Sequence, residues 1–322
     1  MTADNKEIIQ IVKKMTDRKN IDNITRTKAY ERYYSRNPEI RWALLAGMVS
    51  RNAGYNMTDL ESKWFQRSLK PDRREQLFLT YERANWLIFS DAFPQLLLYR
   101  ISKDLGKPMF GLLNQFNVSV FMEREWNRFW VSGDIERLVY ALIINEQHVI
   151  QKPVIEHPVY EKAVFRSLAF KFEERLHFST VLFPTREGEL FGYSVHGFKK
   201  VSNRIKLGKR LAGLLFHPGY YRAIIDFSNN TEHTGSRNDY GRFLGRSGRM
   251  FSTPMLRLCQ PVVEHSRNPL PDWYKGRMQK WWFRKEQQAK NIRLTSWYID
   301  KQRQLHTLIR LEEKILPKGK LF

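Results

Sequence analysis

The densest set of chemically capable groups is the stretch HTGSRNDYGRFLGRSGR, residues 233–249. Arg237, Arg242, Arg246 and Arg249 carry guanidinium forks that match phosphate oxygens, Thr234 and Ser236 add hydroxyls, and Gly235, Gly241, Gly245 and Gly248 let backbone come close to a ligand. In an enzyme acting on a phosphate-bearing substrate, Arg237 and Arg242 would clamp the anion and His233 or Asp239 would serve as base. The plainer reading, which has the stronger claim, is that Asp239 pairs with Arg237 and pins a glycine loop. A second polar set lies in an elbow, SRNAGYNMTDL, with Ser50, Arg51, Asn52, Tyr55, Asn56 and Asp59. It reads either as an anion pocket built on Arg51 or, with better support, as cap and turn chemistry in which Asn and Asp satisfy nearby backbone. His177, His196, His217 and His233 share the C-terminal half with Glu173, Asp226 and Asp239, but their spacing is not that of a metal site, and neither metal nor cofactor is expected.

Charge points more firmly. In 322 residues, 55 Lys+Arg stand against 33 Asp+Glu, a net +22. Residues 1–150 hold 23 basic and 18 acidic side chains (+5), and residues 151–322 hold 32 and 15 (+17). An excess of this size concentrates polyanions at the surface and makes their binding salt-dependent. The alternatives are a generally basic soluble protein and one neutralised by an acidic partner. Three stretches would supply phosphate contacts: the Arg loop, the helix VSNRIKLGKRLAGLLF with Arg204, Lys206, Lys209 and Arg210 on its wet face, and the tail. In the tail, Lys275, Arg277, Lys280, Arg284, Lys285, Lys290 and Arg293 alternate with Trp273, Tyr274, Trp281, Trp282, Phe283, Trp297 and Tyr298. Bases would stack on exposed rings there; if the rings are core contacts instead, the cations are simply a solvated face. Nucleic acid is the favoured partner, an anionic membrane surface the lesser one, and a peripheral membrane adaptor would need its tryptophans in one plane.

Elimination narrows the rest. GxxxxGK[ST], HExxH, CxxC, GxSxG and SxxK are all absent, which removes the common phosphate loops, zinc peptidases, thiol redox enzymes and serine acyl transfer. The elbow has the look of a transglycosylase-type lysozyme, but Ser50 and Arg51 stand where the acid would be, so that reading is rejected. Cys259 is the single cysteine, so there is no intramolecular disulfide and no cysteine-rich zinc site. No signal peptide and no apolar run of transmembrane length is read, and a cytoplasmic protein is expected.

These groups need helices to position them. Asn37 and Pro38 are expected to start a central helix through Trp42, Leu44, Leu45, Met48 and Val49, apolar all round and therefore enclosed, with Gly54 as its left-handed stop and Thr58 to Glu61 as a capping box. Before it, Ile8, Ile9, Ile11, Val12 and Met15 look like one face of a short helix, and Tyr30, Tyr33 and Tyr34 face the central helix from the next. Pro71 opens a long helix that Pro94 should kink or restart. Ser119 and Ser132 are read as caps of two further helices, residues 159–176 as another, and STVLFP with LFGYSV as a β-hairpin about TREGE. The fold class is mainly α, a multi-helix, bundle-like protein built round a buried central helix with at most one small β-hairpin. Three regions are drawn: an N-terminal helical subdomain over 1–152, a basic helical subdomain over 153–262 and a basic aromatic tail over 263–322.

The elbow SRNAGYNMTDL, the run YERANWLIFSDAFPQLLLY, the helix RIKLGKRLAGLLF and the loop HTGSRNDY together resemble the YppC-like family of bacilli and relatives, over residues 23–245. The resemblance implies a bacterial protein. It brings no activity, cofactor or catalytic residue with it, because members of that family are known as uncharacterised proteins.

Overall fold

The computed structural model describes residues 3–160, 180–194, 197–267, 270–288 and 292–315. The central helix is α3 (Arg41–Asp59), flanked by α1 (Ala3–Lys19), α2 (Asn23–Arg36), α4 (Lys63–Ser68), the long α5 (Pro71–Leu105), α6 (Val120–Ser132) and α7 (Ile135–Val149). After the hairpin β1 (Thr180–Pro184) and β2 (Leu190–Ser194) come α8 (Val201–Leu215), α9 (Pro218–Asn230), the single turns α10 (Asn238–Gly241) and α11 (Leu256–Cys259), and α12 (Thr295–Ile315). The chain is mainly α-helical, as its periodicity predicts. The hairpin is antiparallel, with Thr180 opposite Ser194 and Pro184 opposite Leu190. Residues 292–294 lie beside β2, where Gly192 N–H donates to the Ile292 carbonyl and Leu294 N–H to the Leu190 carbonyl.

Trp42, Ala43, Leu44, Leu45 and Met48 of α3 are all buried, because α2, α5 and α7 pack around them. Tyr30 meets Trp42 edge-on and leans on Phe89 of α5, so the tyrosines of α2 do face the centre. One apolar core runs from Ile9 to Tyr298 and takes side chains from all three regions of the sequence.

Several local expectations give way. Asn37 closes α2 instead of opening α3: its N–H and side-chain amide both donate to the Tyr33 carbonyl. α3 does not stop at Gly54 but runs on to Asp59, and the next cap is Ser62, which accepts from Phe65 N–H. α5 continues through Pro94 and ends on the left-handed Gly106. Asp134 rather than Ser132 caps α7, and Ile11 and Met15 of α1 are exposed while Ile9 and Val12 are buried. The expected helix over 159–176 falls almost wholly outside the described residues, as do His177, His196, Glu173 and Lys290.

Candidate functional site

α3 presents Arg51, Asn52, Tyr55, Asn56 and Asp59 along its last turns, and the segment after α9 closes over them. The elbow and the Gly/Arg loop are therefore one buried polar knot. Arg51 donates to the Thr231 carbonyl at 2.9 Å, to Glu31 Oε1 at 2.9 Å and to the Ser228 carbonyl, so it binds the C-terminal end of α9. Asn52 Oδ1 accepts from Leu182 N–H and its amide donates to the Thr180 carbonyl, which ties α3 to β1. Arg237, 4% exposed, is a fork on both oxygens of Asp59 at 2.6 and 2.5 Å and also donates to Asn56 Oδ1 and the Tyr240 hydroxyl. Burial disfavours its cation, but Asp59 more than offsets this and holds the guanidinium above its ordinary pKa.

His233, 2% exposed, donates from Nε2 to Asn23 Oδ1 at 2.9 Å, and its Nδ1 is 3.6 Å from Asp239. Burial pushes its pKa down to about 4 against the pull of Asp239, so the ring is neutral at pH 7. Asp239 itself accepts from the Thr234 N–H and hydroxyl at 2.9 and 2.5 Å. The imidazole and the carboxylate are turned inward, and what they do chemically is hold the loop on α3. Tyr55 packs edge-on to both His233 and Tyr240. Gly54 has to be glycine here, since a Cβ would lie 2.5 Å from Asn23 Oδ1 and 3.0 Å from the His233 ring. The loop glycines also serve packing: a Cβ on Gly248 would fall 1.9 Å from the Gly241 carbonyl oxygen. On the open side, a hollow of about 500 Å³ is lined by Thr234, Ser236, Asn238, Arg242 and Glu232. Arg242 and Arg246 are exposed, and the side chain of Arg249 is not among those described.

The helix α8 corrects the wet-face expectation. Arg204 is 2% exposed and donates to the Phe198 and Lys199 carbonyls and to Gln147 and Gln151. Lys209 is 1% exposed, with its ammonium on the Trp281 and Arg284 carbonyls and 3.9 Å from Glu286. Lys206 stays exposed and Arg210 is half-buried. An amphipathic pattern cannot show this, because Arg204 is met by the end of α7 and residues 198–199, and Lys209 by a strap from far along the chain.

That strap is the tail segment 272–288. Asp272 accepts from the Ser119 hydroxyl at 2.7 Å and Val120 N–H at 2.9 Å, which anchors it on the N-terminus of α6, where a carboxylate is favoured. Trp282 is buried, Trp273 stacks on His148 at 4.2 Å, and Phe121 of α6 touches Trp273, Tyr274, Trp282 and Phe283. The rings are anchors in the core. Between them Lys275, Arg277, Lys280, Arg284 and Lys285 are exposed and form no ion pair among the described residues. Arg124 of α6 lies over the Tyr274 ring beside them.

Next to the strap is a cleft of about 850 Å³ between α5, the α6 N-terminus, α7 and residues 264–275. Its floor is Asp91, which accepts from Gln95, Asn145 and Arg267, while Trp273 donates to Asn145. Arg83, His148 and His265 line its walls. Among the described residues no group of three or more His, Cys, Asp or Glu is placed to hold a metal ion; His217 instead caps α9 through Nδ1.

The family model described as Protein of unknown function (DUF2515) matches residues 18–299. The chain belongs to this family. Among its relatives, the uncharacterized protein YppC of Bacillus subtilis (strain 168) is 48% identical over 309 residues, 96% of each chain, in agreement with the resemblance carried by the elbow, the YERANW run and the HTGSRNDY loop. No solved structure matches it. The match covers the knot, the cleft and the strap alike. Of these, sequence reasoning missed the cleft, because Arg83, Asp91, His148, His265 and Arg267 come from separate elements at no telling spacing.

Proposed function

We propose that the protein binds a polyanion, nucleic acid in preference to a membrane surface, through the tail strap, with Arg124, Lys206 and Arg210 beside it. The observation that carries this reading is the row Lys275, Arg277, Lys280, Arg284 and Lys285, exposed on a segment whose aromatic residues lock it to α6 and α7. Rigid backbone presents cations without the ordering entropy a free tail would lose on binding. Contacts of this kind meet phosphates and not base edges, so affinity comes without sequence preference. Trp282 and Tyr298 are buried and Trp273, Tyr274, Trp281, Phe283 and Trp297 pack partly buried against the core, which favours backbone contact over stacking and over insertion at a lipid boundary. Arg242 and Arg246 extend the cationic surface on the loop. An enzyme working at that loop has less behind it, since Arg237, His233 and Asp239 bond inward. No helix among the described residues is long and apolar enough to cross a membrane, and the reading assumes a cytoplasmic protein.

The test is a salt-titrated binding series with duplex DNA, single-stranded RNA and anionic vesicles. Nucleic acid should bind at low salt, and the triple variant K280A/R284A/K285A should flatten the log–log salt slope by roughly 2 to 3. Absence of nucleic-acid binding at low salt, or an unchanged slope in the variant, overturns the proposal.

A further inference from the structure

The cleft beside the strap holds a cation with no acceptor. Arg83 is half-buried, its guanidinium lies 5.1 Å from the centre of the Trp86 ring, and it makes no hydrogen bond or ion pair among the described residues. Burial disfavours its cation, Tyr160 attracts it, and a second guanidinium, Arg267, repels it. A half-buried positive charge set against another is unfavourable unless an anion joins them. The carboxylates around the cleft do not fill that place. Asp91 is bound by Arg267, Gln95 and Asn145, Asp272 by the α6 N-terminus and Glu156 by Gln151, while Glu264 is exposed. Lys152 and Lys275 add positive charge to the lining. Leu87, Val118, Pro153 and Trp273 give the walls an apolar share, and about 850 Å³ is the room of a small-molecule site.

We propose that this cleft binds a small organic phosphate, with Arg83 as the fork on the phosphate and Arg267, already held by Asp91, as the fixed charge behind it. A guanidinium takes two phosphate oxygens in one plane, and Arg83, over the Trp86 ring, has no hydrogen-bond acceptor among the described residues to compete for its N–H groups. His148 and His265 line the cleft beside it. The site shares Asp272, Trp273 and Lys275 with the strap, but it is centred on Arg83 and would stand if the strap bound nothing.

Calorimetric titration of the full chain with inorganic phosphate and, separately, with adenosine 5′-monophosphate tests it. Monophosphate should bind more tightly than phosphate, since only the ester uses the apolar walls. R83Q should weaken monophosphate binding roughly tenfold or more. The strap variant K280Q/R284Q, which should lower nucleic-acid affinity, should leave monophosphate binding unchanged. In the wild type, the indole N–H resonance of Trp273 should shift on titration and that of Trp297 should not, a readout that holds even if R83Q does not fold. No binding of either probe, undiminished binding by R83Q, or an unmoved Trp273 resonance overturns the proposal.

Discussion

At the scale of single residues, the structure reverses the usual arithmetic of a helical glycine. Replacing glycine by alanine inside a helix normally stabilises by roughly 0.5–1 kcal/mol. Gly54 is inside α3, but the place of its missing methyl is taken by the Asn23–His233 hydrogen bond. Gly54→Ala should therefore destabilise the protein by about 1–3 kcal/mol in denaturant titration, the range of overpacked cores; a stabilised variant would mean that the knot is slack. The same knot explains what residue types alone say poorly. Arg237 and Asp239 are both buried, and the partner of Arg237 is Asp59, 178 positions away, and not its neighbour in the loop. Arg204 and Lys209 carry the charge of a wet face and lie in the core, because the Gln147 carbonyl of α7 and the Arg284 carbonyl of the strap meet them there.

At the scale of elements, the tail is a strap whose position is set at one end by Asp272 on the N-terminus of α6. Asp272→Ala removes a negative charge, so by charge alone it should strengthen polyanion binding. If the strap must be anchored to present its cations, the variant should instead lose affinity and about 1 kcal/mol of stability, the usual worth of a helix cap. Fluorescence anisotropy with single-stranded RNA beside a thermal melt separates the two. The helices themselves were legible: Ser119 capping α6, Gly106 closing α5 and the hairpin about residues 185–189 all follow from local signals. The ends of α3 were not, because Asn37, Pro38 and Gly54 carry strong local signals that packing overrides. Gly54 reads as a stop only while His233 is out of sight.

At the scale of the whole molecule, buried titratable groups set a stability window in pH. Burial pushes His148, His233, His265 and His306 down to about 4. Their unfolded forms take up protons from about pH 6.5 downward. A depressed histidine keeps its full contribution above that value and loses it as pH falls toward 4. Glu146 works the other way. Burial raises its carboxyl to about 7, so the stability tied to its protonated form is present below about pH 4.5 and lost as pH rises through 7. Thermal melts should show a fall below pH 6.5, with Glu146→Gln relieving a smaller loss between pH 5 and 7. A melt midpoint that is flat from pH 4.5 to 6.5 would contradict the neutral, buried histidines. Because one core joins Ile9 to Tyr298, we also propose that the divisions near residues 153 and 263 are linkers within one cooperative unit.

What the sequence determined by itself is what depends on near neighbours: helical content from the 3.6-residue repeat, the Ser119 cap, the hairpin, the absence of common catalytic motifs, and a charge of +22 weighted to the C-terminal half. Family membership was legible too, from motifs that survive as strings. The tertiary structure alone decided which of those charges face water. A guanidinium is buried or exposed according to whether carboxylates and carbonyls from distant segments converge on it, and no local pattern encodes that convergence. For that reason the loop richest in chemical groups became a packed joint, while an unremarked arginine on α5 was left facing a cleft without a partner.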